Sequence, residues 1–168
     1  MTIDGTRRDF GTLFAAAAIC SAGGATTVMA QGASLSANVR IFNAIIDRGF
    51  NHGDLSVADE VCASKLSEHE YLARTDVPGP EILKDQIQTA RNNLKGLTLT
   101  VEDLVEDGDK IWARSTATGT HARSGKPIRM TVIDICRFEN GKLVEHWGVP
   151  DRFAMLHQAG ALPKPPKQ

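Results

Sequence analysis

Near the carboxyl-terminal end, Glu145, His146, Trp147 and Asp151 fall within seven residues. These types can move protons at a carbonyl compound. An imidazole titrates near neutrality and donates a hydrogen bond to a carbonyl oxygen. A carboxylate raised toward neutrality by burial can exchange a proton with carbon. Each residue also has a plainer role. Asp151 follows Pro150 and suits a helix N-cap, accepting backbone N–H bonds, and spacing alone favours that role. His146 suits a core or interface position in a strand. His69 stands beside a tyrosine just past a helical pattern, and His121 follows Gly119-Thr120 at a strand end. Both are read either as pocket-rim groups or as surface histidines. Trp112 and Trp147 serve as an apolar wall or as ordinary packing.

The pattern excludes several classes of chemistry. His52, His69, His121 and His146 lie on separate elements without metal-ligand spacing, so no metal is expected. Neither a nucleophile elbow nor a phosphate- or dinucleotide-binding glycine motif is present, so no cofactor is expected either. The chain carries 19 Lys+Arg against 20 Asp+Glu, which implies no basic face for nucleic acid. No apolar run reaches the ~20 residues of a membrane span.

The amino terminus reads as an export signal. Arg7-Arg8-Asp9-Phe10 is a twin arginine, an alanine-rich run follows from Leu13 to Ala22, and Val28-Met29-Ala30 precedes an expected cut after Ala30. Residues 1–30 are thus expected to be a twin-arginine signal peptide and 31–168 the mature domain, periplasmic or secreted. Ile19 is too bulky for Cys20 to be a lipidation site. The mature chain keeps Cys62 and Cys136. An oxidising compartment permits a disulfide between them, and two buried thiols are the favoured alternative.

These side chains must be positioned by a short list of elements. Leu35, Val39, Phe42, Ile45, Ile46 and Phe50 recur at helical period, with Ser34 or Ser36 as cap. Leu55, Ala58, Val61, Cys62 and Leu66 predict a second helix. Pro80 and Glu81 open a third, which runs to about Asn93 and is closed by Gly96. The period then changes to two. Strands are expected from Leu97, from Lys110 to His121, from Ile128 to Glu139 and from Lys142 to Val149, with hairpin turns at Asp107-Gly108 and Asn140-Gly141. A last helix runs from Asp151 to Ala159, capped by Gly160, and the tail 163–168 is expected to be loose. This order predicts one α+β domain with helices on one face of a curved, mostly antiparallel sheet.

A two-residue turn at Asn140-Gly141 pairs Glu139 with Lys142. Uninterrupted, that register sets Asp134 opposite Trp147, Cys136 opposite Glu145 and Ile135 opposite His146. One face would then carry Asp134, Cys136, Glu145 and Trp147, and the other Ile133, Ile135, Arg137, Val144 and His146. Both faces are partly apolar, so a second subunit is a candidate cover for one of them.

The run GKLVEHWGVPDRFAMLHQAG resembles the carboxyl-terminal signature of the SnoaL-like polyketide cyclases, or ester cyclases, of the nuclear-transport-factor-2-like superfamily. Glu68-His69 with PGPEILKDQI, LTLTVEDLVEDGDKIWARSTATGTH and IDICRFENGKLVEHW are similar to its helix region and hairpins. The resemblance implies a cone-shaped α+β barrel with a deep apolar pocket, a homodimer formed through the sheet, and ring closure by aldol chemistry without metal or cofactor. It implies Asp151 as the acid/base and His146 as the histidine that polarises the substrate, with His69 and His121 matching further family histidines. This chain has Gly148 where the family commonly has an acidic residue, and Ala159 where leucine is usual. The expectation is a small exported protein that binds an apolar carbonyl compound for cofactor-free proton chemistry, or a periplasmic module that binds a hydrophobic ligand without catalysis.

Overall fold

The computed structural model describes residues 35–70 and 74–163. The expected signal peptide and residues 164–168 of the tail lie outside the described residues.

Helix α1 (Ala37–Ala44) starts where Ser36 Oγ accepts the Val39 N–H at 3.1 Å. It runs on as a π-helical segment, Ile45–Asn51. Helix α2 (Ser56–Val61) leads directly into strand β1 (Cys62–Glu68). Helix α3 (Gly79–Asn93), with proline in its first turn, is followed by β2 (Leu94–Asp107), β3 (Lys110–His121), β4 (Pro127–Glu139), β5 (Lys142–Pro150) and α4 (Arg152–Ala159). The sheet order is β1-β5-β4-β3-β2, antiparallel except for β1, which runs parallel to β5. The helices cover one face of this curved, open α+β sheet. Phe42, Val57, Ile82 and Ile87 pack there with Ile111 and the sheet's other inner residues, each essentially without exposure. Burial of such side chains is worth about 1.5–3 kcal/mol each and dominates the fold's stability.

Three sequence expectations change. The predicted second helix ends at Val61, and its last apolar positions belong to β1. Cys62 and Leu66 are four apart, a spacing that satisfies one helix face and one strand face equally. The burial of Cys62, Leu66 and Glu68 on a common side decides for strand. Gly96 does not close α3. It lies inside β2 at φ +66°, where the register slips between Lys95 and Thr98.

The third change matters most. The turn at Asn140 (φ +50°) and Gly141 (φ +71°) sets Glu139 against Lys142 and Phe138 against Leu143, as expected. Val144 is then an extra residue, and beyond it Arg137 pairs with Glu145, Cys136 with His146, Ile135 with Trp147 and Asp134 with Gly148. This bulge moves His146 onto the face of Asp134 and Cys136, and puts Glu145 and Trp147 on the other.

Candidate active site

Between the helices and the inner sheet face lies a cavity of about 310 Å³. Its body is apolar, with Phe42, Ile46 and Phe50 from α1 and its π-helical extension, Leu83 from α3, and Leu97, Leu99, Met130 and Val132 from the sheet. Glu70, Gln86, Asp134, His146 and Arg152 bring polar groups to its wall, and Asp85, Thr89 and Asn93 of α3 add others.

His146 is held on both ring nitrogens. Nδ1 lies 2.8 Å from Oε2 of Glu68, and Nε2 lies 3.3 Å from Oδ1 of Asp134. The Glu68 side chain has no exposure, and those of His146 and Asp134 have 13% and 14%. Burial alone would lower the imidazole's pKa. Hydrogen bonds and charge from Asp134 and Glu68 outweigh it and push the ring up to about 10. Burial works to raise Glu68, but the His146 hydrogen bond and charge, with the Glu70 N–H at 2.7 Å, hold its carboxyl below the usual range. The ring is therefore an imidazolium at neutral pH. Glu68 fixes it from behind, and its Nε2 edge, loosely held by Asp134, faces the cavity. A buried N–H of this kind donates to an oxyanion.

A second polar group adjoins the first. One Glu70 oxygen pairs with Arg152 at the start of α4, and the other accepts from Gln86 Nε2 at 3.2 Å. Burial raises the Glu70 carboxyl above its ordinary value, against the lowering charges of Arg152 and His146.

Of the residues picked out by sequence, His146 lines the cavity. Asp151 is exposed and caps α4, accepting the Ala154 N–H at 2.8 Å. His69 and Trp147 stack on each other at 4.6 Å on the outer sheet face, with His69 Nε2 3.0 Å from Glu145. Trp112 lies on that outer face too, 46% exposed. His121 bonds Ser124 Oγ at 2.9 Å beside the β3–β4 turn. Glu68, Glu70, Asp134 and Arg152 were not picked out. Asp134 and Glu68 could have been found by asking which carboxylates share a face with His146, had the bulge at Val144 been visible. Among the described residues no group of three or more His, Cys, Asp or Glu is placed to hold a metal ion.

The SnoaL-like polyketide cyclase model matches residues 40–159. TsrD from Streptomyces laurentii is similar in structure, at 27% identity and a TM-score of 0.67, over 77% of this chain and 100% of that one. So is a putative polyketide cyclase from Bacillus cereus, at 27% identity and 0.66, over 76% and 83%. IdmH, a putative polyketide cyclase from Streptomyces antibioticus, matches at 28% identity and 0.64, over 73% and 98%. No curated protein matches the chain. With its helices on one face of a curved sheet, a cavity between them and a family match over most of its length, the chain belongs to the SnoaL-like polyketide cyclases.

Proposed function

We propose that this protein binds an apolar carbonyl compound and catalyses proton transfer at the carbon next to the carbonyl, by way of an enolate. The observation that carries the reading is the His146 imidazolium, held by Glu68 and Asp134, with its Nε2 edge turned into an apolar cavity. The substrate oxygen would displace Asp134 as acceptor of the Nε2–H. Charge developing on that oxygen would meet a fixed cation in a site of low dielectric, which favours the transition state over the ground state. The apolar walls suit a hydrophobic body, and membership of the SnoaL-like polyketide cyclases fits such chemistry. The resemblance puts Asp151 in the acid/base role. Its exposed, capping position does not support that assignment, and the proposed chemistry rests on the cavity groups.

The test is deuterium incorporation into β-tetralone, an apolar ketone with acidic α-hydrogens, followed by proton NMR in D2O. Exchange above the buffer rate that is lost in His146→Gln supports the reading. Binding without exchange supports the second reading, a hydrophobic-ligand carrier. That alternative is favoured by one observation: both His146 nitrogens already have partners.

Two further proposals concern context. The Arg7-Arg8 pair and the run after it support export to the periplasm or beyond, checked by the amino-terminal mass of protein recovered from that compartment. The outer sheet face supports a homodimer. Val105, Trp112, Ile135 and Trp147 form one row across four strands, and Ile133 and Val149 are neighbours in the next. Val105, Trp112, Ile133 and Val149 are 37–64% exposed, an apolar stripe of the kind that marks an interface.

A further inference from the structure

Resting on the enolate reading, we propose that Glu70 is the general base that removes the substrate's α-hydrogen, in a space kept open by Gly148. A Cβ built on Gly148 would stand 2.9 Å from His146 Cε1, 3.4 Å from His146 Nε2 and 3.1 Å from Glu70 Oε2. The backbone there is ordinary strand with no positive φ, so conformation does not demand glycine. Space does. A substrate atom seated just cavityward of that point touches the imidazolium and the carboxylate together, the geometry required of a reacting centre between its acid and its base.

The two carboxylates that flank His146 inside the cavity are not equivalent. Asp134 accepts from Nε2 and balances the ring's charge. Among the described residues, the Oε2 of Glu70 accepts only from the neutral Gln86 amide, at 3.2 Å, while Arg152 holds the other oxygen. Arg152 and Gln86 thus anchor the carboxylate, and the neutral Gln86 amide takes one lone pair of Oε2, the oxygen that faces Gly148, leaving its second lone pair to act. Burial raises Glu70 above the ordinary carboxylate range, which makes it a stronger base than an exposed glutamate. In the step, Glu70 Oε2 takes the α-hydrogen as a proton. The C–H electron pair forms the new carbon–carbon double bond, and the carbonyl π pair moves onto oxygen, which His146 Nε2–H hydrogen-bonds. Return of a proton from Glu70 to carbon closes the cycle, and in D2O the returned ion is a deuteron.

The test measures deuterium incorporation into β-tetralone by the full chain, with dissociation constants and thermal midpoints taken in parallel. Glu70→Gln is expected to lose at least about 100-fold in exchange, with ketone binding unchanged, and Glu70→Asp to recover part of the loss. The wild-type rate should show an acid limb above the ordinary carboxylate range that Glu70→Gln lacks. Among the described residues, the charged groups acting on Glu70 are Glu68 of β1, His146 of β5 and Arg152 of α4, with Asp85 of α3 and Asp134 of β4 lining the same cavity, and all remain in that variant. If Glu70→Gln fails to fold, Gly148→Ala replaces it: the carboxylate stays, the gap is filled, and exchange should fall likewise. Wild-type exchange that persists undiminished in Glu70→Gln or in Gly148→Ala overturns the role of Glu70 and leaves the enolate reading standing. A wild-type protein inert toward the ketone overturns both.

Discussion

Replacing Glu68 by glutamine keeps the shape of the side chain and removes the charge 2.8 Å from His146 Nδ1. Against burial, Asp134 and Glu68 push the folded ring up to about 10 from an ordinary 6.5. A raised pKa of this kind contributes stability that is fully present below pH 6.5 and lost as pH rises through about 10. Glu68 has the opposite sign. Its folded pKa is lowered, so its contribution is present above the ordinary carboxylate range and lost as pH falls through the folded value. The preference for the protonated ring is net of burial and shared between two carboxylates. Glu68 is the nearer and the fully buried partner, so Glu68→Gln should cost about 3 kcal/mol at neutral pH, the scale expected when one member of a buried pair is removed. Urea denaturation from pH 5 to beyond pH 10 measures the cost, and NMR of the His146 ring follows its titration. The difference between wild type and variant should be widest near neutrality and close on the alkaline side. A wild-type ring that titrates near 6.5, or a stability difference that stays constant through pH 10, would refute the assignment.

Other outcomes follow from single contacts. Ile87 has no exposure and packs against Gly49, so Ile87→Ala should lower stability by about 3 kcal/mol in a urea titration. Asp151→Ala should cost about 1 kcal/mol by removing the α4 cap, and Asp151→Asn should recover most of it, since asparagine caps equally well; thermal unfolding separates the two. Trp112→Asp combined with Trp147→Asp puts two charges in the outer apolar row. Sedimentation velocity should then report a monomer, against the dimer proposed for the wild type.

Where local chemistry is decisive, the chain was readable. Asn140-Gly141 takes up two positive φ angles and sets the β4–β5 turn, Asp151 caps the last helix, and the period change after α3 marks the sheet. Where two periods coincide, it was not: Cys62 and Leu66 fit helix and strand alike, so β1 went unseen, and with it Glu68. The bulge at Val144 leaves no signal in residue type, because an extra valine in a strand looks like any other valine. That single residue decides whether His146 shares a face with Asp134 or with Ile135. His146 itself was legible as a chemical group. Its partners required three-dimensional placement.

Cys62 and Cys136 are both buried and unpaired. Cys62 sits on β1, Cys136 on β4, and β5 runs between them. Two strand spacings, about 9.5 Å, exceed the ~7 Å that a disulfide spans. Burial pushes the Cys62 thiol up to about 12 and Cys136 well above its ordinary value, so neither is a useful nucleophile while the chain is folded. Both become ordinary thiols on opening. Alkylation at a known reagent concentration then acts as a stopwatch at two places in one sheet, Cys62 timing the edge strand and Cys136 timing β4 in the interior. Equal labelling rates mean that the sheet opens as one unit. Faster labelling of Cys62 means that β1 peels away first, taking Glu68 from behind His146 before the rest of the fold has moved.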